Sequence, residues 1–324
     1  MQSVLYYRER FEEHLHSGIK QREPMSLYEP VYYILKLGGK RLRPALTLLS
    51  SELFGGNYQD ALPAAMAVEY FHNFSLIHDD IMDAAPLRRG KTTVHKKWDL
   101  NTGVLSGDAM LIEAYRFLEA YPPEVFKALS VLFSKTAMEV CEGQQYDMDF
   151  ETRDDVTVSE YLRMIEYKTA VLVGTAVQMG AITAGASPAD QQKIYDFGIN
   201  LGLAFQLQDD YLDAFGDPEK FGKQQGGDII ENKKTYLYLR ALDQGEASMG
   251  RELKDLFSIQ PQQAVKKIER VKEIYLQSGA SAETKKAIAA YTEKAFTRLD
   301  LLDIPEENKS VLLGFGRDLM GRKV

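Results

Sequence analysis

Two aspartate clusters carry most of the chemistry that can be read from this chain: DDIMD at Asp79 to Asp83 and DDYLD at Asp209 to Asp213. On a helix, Asp79 and Asp83 lie one turn apart on the same face, with Asp80 beside them. Asp209, Asp210 and Asp213 repeat that geometry, and Gln206 extends the polar stripe upstream. Like charges at this spacing destabilise a helix by about a few tenths of a kcal/mol. A position near a helix C-terminal end adds an unfavourable macrodipole. A cation offsets both. Hard oxygen ligands favour magnesium, Mg2+, which keeps several waters and is completed by substrate phosphates. A single DDxxD is a weak pattern and more often marks a solvated acidic face. Two of them, about 130 residues apart and each followed by a basic, glycine-containing loop, point instead to a diphosphate gripped through metal.

The counter-charges are local. Arg88-Arg89-Gly90-Lys91 follows the first cluster, and Phe221-Gly222-Lys223 and Lys233-Lys234-Thr235 follow the second. Gly38-Gly39-Lys40-Arg41-Leu42-Arg43-Pro44 lies nearer the N-terminus. Guanidinium forks match phosphate oxygens in a bidentate manner, and glycine lets backbone approach them closely. Alone, the last segment reads as a helix start with solvated charges; beside two metal-type clusters it reads as phosphate recognition. His72 precedes Asp79 by seven residues, which puts it on the same helical face two turns away. A lone histidine there is more often structural, but this one faces the proposed site, so phosphate contact is an equal expectation.

Long helices must position these residues. Ile194, Phe197, Leu201 and Phe205 form an apolar stripe at spacings of three and four. Segments of roughly 60–83, 101–120, 123–146, 158–185 and 188–215 read as long helices. Pro63, Pro122, Pro123, Pro188, Pro218, Pro261 and Pro305 fall where boundaries are wanted, and Ser187-Pro188 reads as an N-cap followed by a first-turn proline. Ala84 to Thr93 and Gly216 to Gly227 read as loops, each directly behind an aspartate cluster. No low-complexity tract, linker or repeat interrupts the pattern. The expectation is an all-α fold, with residues 1–324 as a single large helical bundle around a central active-site cavity.

A chain of 324 residues with 45% hydrophobic content can bury a sizeable core, and a net charge of -8 argues against a general grip on nucleic acid or an anionic membrane. One cysteine, Cys141, excludes an internal disulfide and multi-cysteine zinc; it is expected to be a small core residue. MQSVLYYRER lacks the apolar core of a signal peptide, and no stretch of about 18 apolar residues is present. The expectation is a cytoplasmic protein with no membrane insertion.

Read in order along nearly the whole chain, GGKRLRP, HNFSLIHDDIMDAAPLRRG, EGQQYD at Glu142 to Asp147, Lys168-Thr169, FQLQDDYLD, Gly222-Lys223 and GGDIIENKKT resemble the trans-type isoprenyl diphosphate synthases, or polyprenyl synthetases. So many ordered elements make the resemblance specific. Two departures stand out: Tyr236 follows Thr235 near where many members carry proline, and Ser75 stands where threonine is usual. The resemblance implies a magnesium-dependent prenyltransferase. Asp79, Asp83 and Asp209 would be the main metal ligands, with Asp80, Asp210 and Asp213 completing the clusters directly or through water. Arg88, Lys168, Lys223 and Lys233 would neutralise the allylic diphosphate. Lys40, Arg43, His72 and Arg89 would hold the diphosphate of isopentenyl diphosphate, while Thr169 and Gln206 would lie beside the allylic carbon that becomes cationic. The family's chemistry needs no side-chain base, because the departing diphosphate takes the proton. Members are commonly homodimers, and a homodimer is expected here.

The resemblance also implies that the growing chain runs beside the first-cluster helix, with bulky upstream residues as its floor. Phe74 and Phe71 lie five and eight residues before Asp79, about 7 and 12 Å along the helix. With Ser75 beside Phe74 and no insertion inside DDIMD, the pattern looks more like archaeal geranylgeranyl synthases than bacterial farnesyl synthases. The expected activity is a short-chain prenyltransferase that condenses isopentenyl diphosphate with dimethylallyl, geranyl or farnesyl diphosphate to give C20, with C15 the close alternative. A class I terpene cyclase is the nearest rival, but its second metal motif usually mixes Asn, Ser or Thr with Glu. An HD-type phosphohydrolase would use His78-Asp79, yet His14, His16, His72 and His95 are poorly placed as its further ligands. A non-catalytic partner subunit would have lost cluster aspartates, and none is lost.

Overall fold

The computed structural model describes residues 2–18, 21–217, 226–259 and 264–321. These residues are helical nearly throughout, and the strands among them are one two-residue ribbon. By its own contacts the chain divides into two compact units. Unit 1 comprises Met1–Lys135, Thr175–Tyr195 and Leu302–Val311; unit 2 comprises Thr136–Gly174, Asp196–Leu301 and Leu312–Val324.

Unit 1 is built around α4 (Leu62–Met82), which packs on α1 (Val4–Gly18), α2 (Met25–Lys36), α3 (Leu42–Leu53), α5 (Val94–Lys97) and, most extensively, α6 (Leu100–Leu118). Pro63 stands in the first turn of α4, where a missing N–H costs nothing. Asp99 caps α6 by accepting from the Thr102 N–H at 2.8 Å. Both α3 and α4 are buried on nearly all sides, so neither has the one-sided apolar stripe of a surface helix. Close packing relies on glycine. A Cβ at Gly107 of α6 would stand 2.3 Å from His78 Nε2, and one at Gly103, a turn earlier, 3.0 Å from Ile81 Cδ1.

Unit 2 has its own apolar core, with Leu207, Leu237, Leu253, Val271, Ile274 and Tyr275 among its buried residues. Here α12 (Tyr236–Gln244) packs on α8 (Val158–Ile165), α13 (Ala247–Phe257), α14 (Val265–Gln277) and α15 (Ala280–Asp300). Thr157 and Glu160 close a reciprocal capping box at the start of α8. The long helices α7 (Pro123–Thr152), α9 (Val171–Thr183), α10 (Pro188–Phe215) and α16 (Glu306–Met320) contribute residues to both units. The remaining element is α11 (Gly227–Ile230).

The expected helices at 60–83, 101–120 and 188–215 form with nearly the expected ends, as α4, α6 and α10. The one at 123–146 runs on to Thr152 as α7. Ser187 Oγ accepts from the Asp190 N–H at 3.2 Å, the cap its sequence predicts. The 158–185 segment is not one regular helix: a π-helical turn at Glu166–Ala170 separates α8 from α9. Ala84 to Thr93 is a loop that contains the ribbon, β1 (Leu87–Arg88) paired antiparallel with β2 (Lys91–Thr92). Of the boundary prolines, Pro218 and Pro261 lie outside the described residues. Cys141 corrects an expectation: it is exposed, on the solvent side of α7 beside Glu142, and not a core residue.

Replacing Gly107 with alanine should test the α4–α6 contact. The methyl has no room beside the imidazole, so a loss of about 1–3 kcal/mol is expected in denaturant melts, whereas Gly18→Ala, which meets open space, should be nearly neutral.

Candidate active site

In unit 1 the first aspartate cluster closes α4. Asp79 and Asp80 belong to its last turn and Asp83 is its C-cap, the unfavourable end of the dipole. The ribbon supplies the counter-charge. Arg89 (φ 52) and Gly90 (φ 72) both adopt positive φ in a two-residue loop, the pattern of a type I′ hairpin turn. That turn sends two adjacent arginines to different places. Arg88 donates through Nε to Asp80 Oδ1 at 2.8 Å and through Nη2 to Asp79 Oδ2 at 3.2 Å. Arg89 donates through Nη1 to the Gly38 carbonyl. Gly39 is held at φ 137, and a Cβ there would stand 2.8 Å from the Arg89 guanidinium. Both reasons require glycine.

The GGKRLRP segment is thus a left-handed loop leading into α3. Lys40 is exposed within it, and Arg43 sits in the first turn of α3. Arg43 Nη1 lies 3.4 Å from His72 Nε2. Burial, then the positive charges of Arg43, Arg89, Arg88 and Arg41, hold His72 well below the usual histidine range. It is a neutral ring at ordinary pH. Lys40, Arg43, His72 and Arg89 therefore share one region of unit 1.

The second cluster lies near the end of α10, in unit 2. Asp210 is buried, and burial pushes its carboxyl up to about 7, an effect reinforced by Asp209 and Asp213 and opposed by hydrogen bonds from Tyr161 and Gln206. Gln206 Nε2 donates to Asp210 Oδ1 at 3.0 Å, and Thr169 Oγ1 donates to Gln206 Oε1 at 3.2 Å. Tyr161 OH donates to Asp210 Oδ2. Asp213 Oδ2 accepts from the Asp228 N–H at 3.0 Å. Half-buried Asp228 is itself pushed well up by desolvation and by Asp210 and Asp213.

Lys168 and Thr169 ride on the π-helical turn, a rare geometry enriched at functional sites. Two glycines leave space for it. A Cβ at Gly143 would stand 2.3 Å from the Lys168 backbone nitrogen, and one at Gly202 2.7 Å from Ala170 Cα. Lys168 Nζ pairs with Asp147 Oδ2 at 2.6 Å. The two neighbouring lysines of KKT have separate tasks. Burial pulls Lys233 down, but Glu231, Asp228 and Asp147 outweigh it and hold its ammonium above the usual range. Lys234 instead donates to the Phe150 carbonyl at 3.1 Å and to that of Arg153, closing the C-terminal end of α7. Lys223 lies outside the described residues.

Both clusters offer the hard oxygen donors magnesium prefers, and Asp80 Oδ2 is buried without a hydrogen-bond partner among the described residues. Among those residues, no group of three or more His, Cys, Asp or Glu side chains already converges as a metal site. Arg88 and Tyr161 take carboxylate oxygens that a cation would otherwise claim. The donors fit magnesium in chemistry, with phosphate oxygens needed to complete the shell.

A profile of the polyprenyl synthetase family matches residues 24–275. The chain belongs to that family. A geranylgeranyl diphosphate synthase of Methanosarcina mazei is 40% identical over 304 residues, covering 93% of this chain and 91% of that one. A crystal structure of a geranylgeranyl pyrophosphate synthase superposes with a TM-score of 0.96 at 57% identity, over 100% of both chains. A polyprenyl synthase from Caulobacter crescentus, complexed with calcium and isoprenyl diphosphate, gives a TM-score of 0.87 at 28% identity, covering 99% of this chain and 97% of its own. As a polyprenyl synthetase, this chain has a fold wholly in keeping with its relatives.

Several site residues escape a reading of the sequence. Asp228 and Asp147 lie in quoted motifs, but nothing in their spacing ties them to a particular lysine or carboxylate. Tyr161 has no signal at all, being one aromatic on an amphipathic helix. The only signal at Gly143 is that of a glycine inside a long helix.

The raised Asp210 carboxyl has a testable sign. The stability it lends the unliganded protein is fully present below about pH 3.8 and is lost as pH rises towards about 7. Asp210→Asn should therefore raise the thermal midpoint of the metal-free protein at about pH 8.5, with a smaller gain at about pH 5.5, while reducing turnover. Melting curves at the two pH values, paired with initial rates, check both halves.

Proposed function

We propose that this polyprenyl synthetase extends an allylic diphosphate (dimethylallyl, geranyl or farnesyl) with isopentenyl diphosphate, making geranylgeranyl diphosphate as its main product and releasing diphosphate. The observation that carries this reading is the division of the basic side chains. Arg43, His72 and Arg89 gather at the Lys40 loop, while Arg88 goes to the first aspartates. A cyclase acting on one diphosphate has no use for that separate basic group.

On this reading Lys40, Arg43, His72 and Arg89 bind the diphosphate of isopentenyl diphosphate. His72 contributes as a neutral donor and acceptor, adding no charge. Arg88, Lys168, Lys233 and Lys223 balance the charge on the allylic diphosphate. Asp79, Asp83 and Asp209, with Asp80, Asp210 and Asp213, are the residues that would hold magnesium. Bound magnesium supplies electrostatic stabilisation of the leaving diphosphate; the Caulobacter relative's calcium and isoprenyl diphosphate support that assignment.

The allylic C–O bond breaks with its electron pair going to the diphosphate oxygen. The isopentenyl double bond then attacks the allylic carbon, and the released diphosphate accepts the proton lost from the new chain. Thr169 donates to Gln206, which donates in turn to Asp210, and on this reading the oxygens of Thr169 and Gln206 would lie beside the developing cation. Helical walls and bulky side chains would exclude the water that would otherwise quench it.

Product length follows from α4. The Phe71 and Phe74 rings lie 5.5 Å apart, and Phe133 backs Phe71 at 5.3 Å. Ser75 turns its hydroxyl to the His72 carbonyl at 2.8 Å and leaves the floor to the rings. Relatives named as geranylgeranyl synthases support C20; the bulk of fully buried Phe71 makes C15 the close second. The enzyme is proposed to act as a homodimer in the cytoplasm. Exposed Leu105 and Ile112, two turns apart on α6, and Val131 on α7 offer the apolar surface that a second copy would cover.

Radiolabelled isopentenyl diphosphate, incubated with each primer, should give mainly C20 by chromatography. EDTA should abolish incorporation and added magnesium restore it; turnover in metal-free buffer, or hydrocarbon formation without isopentenyl diphosphate, would overturn the reading. Phe74→Ala should lengthen the product by at least one isoprene unit. Phe71→Ala in addition should lengthen it further, at a stability cost of about 3–5 kcal/mol for a fully buried ring; an unchanged product in an active double variant places the floor elsewhere.

A further inference from the structure

Arg41 stands between two proposed ligands of isopentenyl diphosphate, Lys40 and Arg43, yet its side chain is turned inward. Its residue is 6% exposed, whereas Lys40 is solvent-exposed. Its backbone is left-handed, φ 46, at the entry to α3. That conformation is uncommon for a residue with a Cβ and persists only where surrounding contacts impose it. The contacts here are specific. Arg41 donates through Nη1 to Glu69 Oε1 and through Nη2 to the Leu35 carbonyl, the last turn of α2. Glu69 Oε1 also accepts from Asn73 Nδ2 at 2.8 Å, and Asn73 is fully buried. The guanidinium is therefore committed inward on both terminal nitrogens.

The network joins the loop to the helix that carries the rest of the site. Glu69, His72 and Asn73 are neighbours on one face of α4. Glu69 and Asn73 hold Arg41, while His72 meets Arg43. Glu69 is also the carboxylate whose charge acts on both Arg43 and Arg89. A buried ion pair is weak as a source of stability, because desolvation offsets the attraction; its attested use is to select one conformation. Here the conformation selected turns Arg41 inward at the entry to α3, between Lys40 and Arg43.

We infer that Arg41, Glu69 and Asn73 form a buried anchor that sets the Lys40–Arg43 loop for isopentenyl diphosphate, with Arg41 a positioning residue that does not touch substrate. The inference rests on the reading of Lys40, Arg43 and His72 as the isopentenyl diphosphate site. The anchor holds the loop through contacts made within the protein itself, which lowers the ordering cost of binding.

The test is steady-state kinetics of Arg41→Lys, Glu69→Gln and Arg43→Ala, with isopentenyl diphosphate and farnesyl diphosphate varied in turn. Arg41→Lys keeps the charge but loses the fork, and Glu69→Gln keeps the shape but loses the charge. Each should raise KM for isopentenyl diphosphate by about tenfold, with KM for farnesyl diphosphate and kcat changed by less than about twofold. Equal weakening of both substrates, or a lowered thermal midpoint with unchanged KM values, assigns the pair to general stability and overturns the inference. So does failure of both anchor variants to fold. If Arg43→Ala raises the isopentenyl KM and the anchor variants do not, the anchor alone is wrong. If Arg43→Ala leaves that KM unchanged, the site reading beneath it is wrong.

Discussion

Carboxylates gathered at a helix C-terminal end repel one another and the helix dipole together, and partial burial strengthens both effects. α4 and α10 each carry that arrangement, and each relieves it differently. At α4 the relief is a guanidinium: the hairpin turn at Arg89-Gly90 delivers Arg88 onto Asp79 and Asp80. At α10 the relief is partly a proton, since Asp210 is buried deeply enough to ionise near neutrality. Tyr161 and Gln206 then act as donors to a group that still needs stabilising as an anion. Lysine charge is kept close by, on Lys168 and Lys233, each restrained by its own acid, Asp147 and Glu231. These are the contacts that a cation with a phosphate would have to exchange for its own.

Some of this is plain in the sequence and the rest is hidden, for physical reasons. Aspartate spacing needs only the 3.6-residue turn to be read as one face, so both clusters, and the link from Gln206 to Asp210, are legible from residue spacing alone. Basic segments are legible as groups, but their internal division is not. Arg88 and Arg89 are adjacent letters that a type I′ turn sends to different partners. Lys233 and Lys234 are likewise split, one to Glu231 and one to the end of α7 and Asp154 just beyond it. The same limit explains Arg41, the middle charge of GGKRLRP, which points inward because a left-handed backbone turns it there. The π-helical turn under Lys168 is invisible for another reason. It depends on Gly143 and Gly202, which lie far from it in the chain. Cys141 departs from expectation because a small apolar residue inside a long helix says nothing of which side faces solvent.

α4 shows how much one helix can hold when it is buried on every side. At about 100° per residue, Glu69, His72, Asn73 and Asp80 share one face and Phe71, Phe74 and His78 the opposite one. The polar face meets the anchor arginine and the neutral histidine's partner. The aromatic face meets Phe133 of α7 and the bare backbone of Gly107 on α6. Asp79 and Asp83 continue the polar face at the helix end, on the His72 side. No amphipathic stripe arises, because charge recognition and apolar packing are both core functions here. The two demands constrain each other. A shift that moved Phe74 relative to α6 would also rotate His72 and Asp79, so the glycines that let α6 approach also fix the position of the charged end. The placing of the charged end and the packing of the aromatic face in unit 1 are therefore one problem, solved along a single helix.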